Sequence, residues 1–216
     1  MCELVPVGYS AEWRGEQLLL LLLLQELLLL LLQSFILAPQ VYWMPLCLRT
    51  LDGVTVDSVG LLAAVIYAAA MLGMGVCARL SDATARHARC LAACMAVAST
   101  GFAAVAVALY SSAAPAAVVA AFCVVAGGLW GVMGPFWGLV PLQFSKAEAP
   151  VGIPLVNSMG VAGSFVGPLL VAALVGGTSN FVSAFAVSAA LAAASAAAAL
   201  AIPHAPQAVH ARAEDL

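Results

Sequence analysis

Long apolar runs, not a short alternation of apolar and polar positions, organise this chain. The charged residues gather in clusters: Glu3 to Glu26, Arg49 to Asp57, Arg79 to Arg89, Lys146 with Glu148, and Arg212 to Asp215. Between them run charge-free stretches at 27–48, 58–78, 90–145 and 149–211. A helix that crosses a bilayer needs about 20 apolar residues. The first two stretches hold one span each. The last two hold two each, because each contains a turn signal: Tyr110-Ser111-Ser112-Ala113-Ala114-Pro115 in one and Gly176-Gly177-Thr178-Ser179-Asn180 in the other. The pattern therefore predicts an all-α integral membrane protein, a six-transmembrane-helix bundle with helices at roughly 27–48, 58–78, 90–110, 115–141, 151–175 and 181–202. The Ala-rich segments 115–126 and 184–201 lack polar alternation, as lipid-facing or buried helix requires.

Composition makes the same point independently. The 216 residues are 65% hydrophobic and 8% charged, against roughly 25% charged in a soluble domain. Seven Lys and Arg with a net charge of −3 give no basic footprint, so nucleic acid is not an expected partner and the lipid bilayer is. Cys2, Cys47, Cys77, Cys90, Cys94 and Cys123 lie mostly in apolar runs, where cysteine behaves as a small hydrophobe, not as a disulfide framework.

Three regions follow: an N-terminal extension over 1–26, the six-helix domain over 27–202, and a short disordered cytoplasmic tail over 203–216 containing Pro203 and Pro206. The run Leu18–Leu24, Gln25-Glu26, Leu27–Leu32 is low in complexity. It lacks the basic start and small-residue cleavage site of a signal peptide. Residues 18–26 read as a helical extension of the first span with Glu26 near the interface. An intramembrane proton-carrying role for Glu26 is the competing reading. Orientation follows from the cations: with six spans, Arg14, Arg79, Arg86, Arg89, Lys146 and Arg212 share one side and Arg49 stands on the other. That places both termini, 79–89 and 145–149 in the cytoplasm. The same charge pattern suits a plasma membrane or an organelle membrane.

Candidate chemistry sits in a few places. Arg79, Asp82, Arg86 and Arg89 form x-R-L-S-D-x-x-x-R-x-x-R in the second inside loop, where an Asp at one helix end can pair with Arg from the next and bias a two-state cycle. The simpler reading is a set of topology charges. Gly127, Gly131, Gly134 and Gly138 draw a ridge down one helix face that lets another helix approach. Pro135 interrupts that span, beside Phe136 and Trp137. Gly160, Gly163 and Gly167 form a second ridge. Asn157, beside Ser158, is a lone amide in a span and needs a partner, either another helix or a ligand. The first span carries Gln33, Ser34, Gln40, Tyr42 and Trp43, broken by Pro39 and Pro45.

These blocks resemble the C-terminal half of a major facilitator superfamily transporter, and within it the anion:cation symporter family, which carries organic anions such as carboxylates. Tyr42-Trp43-Met44-Pro45 resembles the end of helix seven in that family. Arg79-Leu80-Ser81-Asp82 with Arg86 and Arg89 resembles its loop between helices eight and nine. Gly134-Pro135-Phe136-Trp137 and the run from Asn157-Ser158 through Gly160, Gly163 and Phe165 to Gly167-Pro168 resemble helices ten and eleven. Val161, Ser164 and Pro141 depart from the family pattern. The resemblance covers about 30–202.

The resemblance implies one half of a twelve-helix major facilitator fold. It implies transport of a small organic anion with a coupling cation, and substrate-cavity candidates Gln40, Tyr42, Trp43, Trp137, Asn157 and Ser158. The partner is then a missing N-terminal six-helix half or a second copy, since the substrate sits between two halves. No span carries a central cation, so a carboxylate's countercharge is expected from that partner. The alternative is a non-transporting relic or assembly partner. An enzyme is not expected: His87, His204 and His210 lie outside the predicted spans, no Asp lies inside one, and neither a metal cluster nor a cofactor motif is present.

Overall fold

Proline and charge set the helix ends. The computed structural model describes residues 33, 35–144, 149–176 and 180–201. Helix α1 (Phe35–Leu48) is followed by α2 (Val56–Thr84), α3 (His87–Tyr110), α4 (Pro115–Leu142), α5 (Ala149–Val175) and α6 (Val182–Leu200). The last five are long and apolar enough to cross a bilayer, and α1 is a shorter apolar helix. The chain is a multi-pass helical membrane protein. The predicted first span begins at residue 27, so its first turns lie outside the described residues, as do the extension 1–26, the pair Lys146 and Glu148, and the tail 203–216.

The start of α2 is fixed by a reciprocal cap. Ser58 N–H donates to Thr55 Oγ1 at 3.4 Å and Thr55 N–H donates to Ser58 Oγ at 2.9 Å. From Asp57 to Arg79 the charge-free stretch rises about 33 Å, close to the ~30 Å of a hydrocarbon core. The turn between α3 and α4 falls at the predicted serine pair, with Ser112 in the left-handed region and Pro115 in the first turn of α4. Gly176 ends α5 at a φ of +56°.

One boundary differs from the sequence reading. The segment 79–89 was expected as an inside loop, but α2 runs on to Thr84 and only Ala85 and Arg86 link it to α3. Arg79 and Asp82 thus lie in the last turns of α2, and Arg89 in the first turn of α3. The charges mark the end of the hydrocarbon, not of the helix, and nothing between Ala78 and Thr84 breaks a helix.

Helices attract one another weakly inside lipid unless small residues let their backbones meet. Here α3 is the hub, packing on α4 and α6. A Cβ on Gly128 would lie 2.6 Å from the Ala98 nitrogen, and one on Gly101 would lie 2.6 Å from the Val125 nitrogen. Alpha-helix α6 turns Ala184, Ser188, Ala192, Ser195 and Ala199 inward, a stripe of small side chains. Across this seam Ser99 Oγ donates to the Ala189 carbonyl at 2.8 Å. Aromatic rings close the end near the α3–α4 turn: Phe185 lies 5.3 Å from Phe122 and 6.1 Å from Phe102, between ring centroids. Phe181 continues the cluster to Trp43 of α1 at 6.2 Å.

Candidate functional site

Two of the helices are broken, and both breaks have a proline cause. Pro45 has no N–H to give the Val41 carbonyl, and α1 answers with a π-helical turn over Pro39–Trp43 before Met44–Leu48 resumes as α-helix. In α4 the helix Pro115–Gly131 stops at Val132, restarts as Met133–Leu139 around Pro135, and ends in a 3-10 turn over Val140–Gln143 containing Pro141. Irregular backbone at membrane depth is tolerated only where it is buried in protein or lines a cavity. The sequence reading expected α4 to be interrupted and α1 to be punctuated by proline. It did not foresee the π turn.

Several polar groups in and beside these broken segments are buried without partners among the described residues. Gln40 is 0% exposed, and neither its amide oxygen nor its nitrogen has a hydrogen-bond partner among the described residues. The indole N–H groups of Trp43 and Trp130, and the amide nitrogen of Gln33, are in the same condition. An amide taken from water without a partner costs roughly 2–7 kcal/mol. Gln40 and Trp43 on α1, Trp130 on α4, and Gln33 just before α1 are thus the buried polar side chains here that lack a partner among the described residues. Trp130 is absent from the sequence-based site. The signal available there was its place four residues before the Gly134-Pro135 break, with a ring that edges onto Tyr67 of α2 at 6.5 Å.

The other expected cavity residues do not gather with Gln40. Tyr42, two positions on, points to the other side of the helix and is 62% exposed. Trp137 is half-buried and packs edge-on against Phe136 at 5.2 Å. Asn157 and Ser158 lie on the exposed side of α5, and the Ser158 hydroxyl donates to the Pro154 carbonyl at 2.9 Å. The buried stripe of α5 is instead Val156, Gly160, Gly163, Gly167 and Val171. A Cβ on Gly167 would come within 2.8 Å of Ala38 Cβ, which sets how closely α5 lies on α1.

The glycines of α4 face α2 and the start of α3. A Cβ on Gly131 would lie 2.9 Å from Cys77 Sγ, one on Gly134 would lie 2.7 Å from Ala78 Cβ, and one on Gly138 would lie 3.0 Å from His87 Nδ1. Gly127 receives Gly73 of α2 backbone to backbone.

The charged motif also looks different in place. Arg79, Asp82, Arg86 and Arg89 are all exposed. The hydrogen bond that ties the α2–α3 turn joins the fully buried Ser81 to His87, Oγ to Nδ1, at 2.6 Å. His87 thus bridges the turn and rests on Gly138 of α4. Sequence reasoning set His87 aside as lying outside the spans. The Ser-x5-His spacing across a helix end was the available sign.

Among the described residues, no group of three or more His, Cys, Asp or Glu is placed to hold a metal. Comparison with known proteins finds no matching family model, no matching curated protein and no matching solved structure.

Proposed function

We propose that this chain is one six-helix half of a major facilitator-type secondary transporter, carrying small organic anions of the carboxylate class together with a coupling cation. The observation that carries the reading is the way the helices pair. Exchange α1 with α4, α2 with α5 and α3 with α6, and each pairing keeps a counterpart: α3 with α6 maps onto itself, and the extensive α2–α4 and α3–α4 contacts map onto much slighter ones. The contact of α1 with α5 becomes that of α4 with α2, α3 with α4 becomes α6 with α1, and α2 with α3 becomes α5 with α6. A three-plus-three exchange of this kind is what one facilitator half requires, and it supports the reading. The two helices that lead the triplets, α1 and α4, are also the two that are broken. Interrupted helices at corresponding repeat positions point to a substrate path.

In this reading the orphaned amide of Gln40 and the indole N–H groups of Trp43 and Trp130 are donors for a carboxylate or its waters. Asn157, an exposed amide on a spanning helix, faces the second half or the cavity between the halves. The countercharge comes from that second half, an N-terminal six-helix half or a second copy. The pure chain in liposomes, offered labelled mono- and dicarboxylates under an ion gradient, tests the need for a partner. No saturable uptake is expected. Saturable, gradient-dependent uptake that is lost on Gln40→Ala or Asn157→Ala would make it a working six-helix transporter and overturn the half-unit assignment.

A further inference from the structure

We infer that the outward groove between α2 and α3 is a binding site for one anionic phospholipid, with its phosphate on Arg86 and Arg89. The two helices are held together at their short turn, and Gly73 and Gly127 draw α2 onto α4 instead of α3. They therefore splay, and α4 floors the gap with Gly127 and Gly128. The resulting groove has a volume of about 540 Å³ and runs from Leu72 and Val97 at one end to Arg86 and Arg89 at the other. Between those ends its walls are apolar, with Val76, Leu80 and Ala93 at the surface. No Asp or Glu lines it among the described residues.

The shape and the charge fit one class of occupant. From Leu72 the groove follows α2 for about 10 Å to Arg79, most of the ~15 Å depth of one hydrocarbon leaflet, and for about 8 Å more to Thr84 in the interface. The cations stand just beyond that leaflet, in the headgroup region at the α2–α3 turn. An occupant must therefore be apolar over a leaflet's depth and anionic at the interface. A phospholipid with a net negative headgroup meets both conditions, and a basic pocket between spanning helices is a recurrent headgroup site. A zwitterionic lipid meets only the first. A partner helix would need acidic residues at that depth, beside two guanidinium groups, and an apolar face along the rest. The lipid requires neither coincidence.

The test uses the full purified chain in nanodiscs of equal phosphatidylglycerol and phosphatidylcholine, released into native mass spectrometry. At about 1 kcal/mol per cation near the headgroups, the Arg pair should favour the anionic lipid roughly thirtyfold. The Arg86→Gln/Arg89→Gln double variant should bring that ratio close to one, while Arg49→Gln, at the opposite end of the bundle, leaves it unchanged. Ala93→Trp keeps both guanidinium groups and fills the groove, so retained phosphatidylglycerol should fall at least tenfold. Four outcomes would overturn the site: a double variant as selective as wild type, an Ala93→Trp variant that retains the lipid, displacement by soluble glycerol phosphate as effective as by the intact lipid, or a second protein chain cross-linked through Cys90 in place of lipid.

Discussion

Gly73 offers a quantitative handle on how this bundle is held together. Adding one methyl there, as Gly73→Ala, puts a Cβ 2.6 Å from Gly127 Cα and 2.8 Å from its carbonyl carbon. The Gly127 carbonyl oxygen is nearer still, and ordinary contact begins near 3.4 Å, so α2 and α4 must part by more than the ~0.8 Å that Gly127 Cα alone requires, against rigid backbone. Overpacking of this kind costs about 1–3 kcal/mol. Gly75, two residues on, is the internal control, since a Cβ there meets nothing within 4 Å. Gly75→Ala should stabilise the helix by about 0.5–1 kcal/mol, because alanine loses less backbone entropy than glycine on becoming helical. Gly73→Ala gains the same helix term, so the two variants should differ by the overpacking cost, about 1–3 kcal/mol, although they carry the same chemical change on the same helix. Reversible unfolding in mixed micelles with increasing dodecyl sulfate, followed by circular dichroism, measures the difference. Equal stabilities for the two variants would refute the close α2–α4 approach, and with it the splay that opens the α2–α3 groove.

Other outcomes follow from the same geometry. Phe185→Ala should cost about 3–5 kcal/mol, because the ring meets Phe102, Phe122 and Phe181, whereas Phe165→Ala, at a site 73% exposed, should leave unfolding unchanged. Ser81→Ala and His87→Ala should be non-additive in a double-mutant cycle, with a coupling of about 0.5–1.5 kcal/mol. Additive effects would remove the hydrogen bond from the account. In a background with the native cysteines replaced, Thr84→Cys should resist an impermeant thiol reagent applied to intact cells and Ser112→Cys should react. Reaction at position 84 from outside would reverse the topology read from the cations. Asp82→Arg should impair a transport cycle more than Asp57→Arg, and equal effects would reduce the motif of Arg79 to Arg89 to a topology signal.

Much of the architecture was legible because charge is so expensive in hydrocarbon. The gaps between charged clusters located α2 to α6, and the serine pair at 111–112 and the glycine at 176 located two turns, since each asks for a backbone that a spanning helix cannot supply. Two features were less legible. The charged segment 79–89 reads as a loop when charge is equated with irregular backbone, yet Arg79 and Asp82 continue α2 into the interface. The distribution of Gln40, Tyr42 and Asn157 was also hidden. A proline in a sequence shows that a helix is disturbed at Pro45, but not that a π turn will absorb the disturbance and bury Gln40 while Tyr42 faces out. The orphaned indole of Trp130 and the Ser81–His87 bond depend on which helices meet, and local patterning carries no record of that.

The central claim, that this chain moves small carboxylates as part of a two-half transporter, is tested most directly in its own host, where any partner half is present. Deleting the coding sequence and measuring gradient-dependent uptake of labelled mono- and dicarboxylates should show loss for at least one of them. Wild-type chain should restore that uptake, and Gln40→Ala, present in the membrane at the same level, should not. Uptake unchanged across the whole panel after deletion would contradict the account.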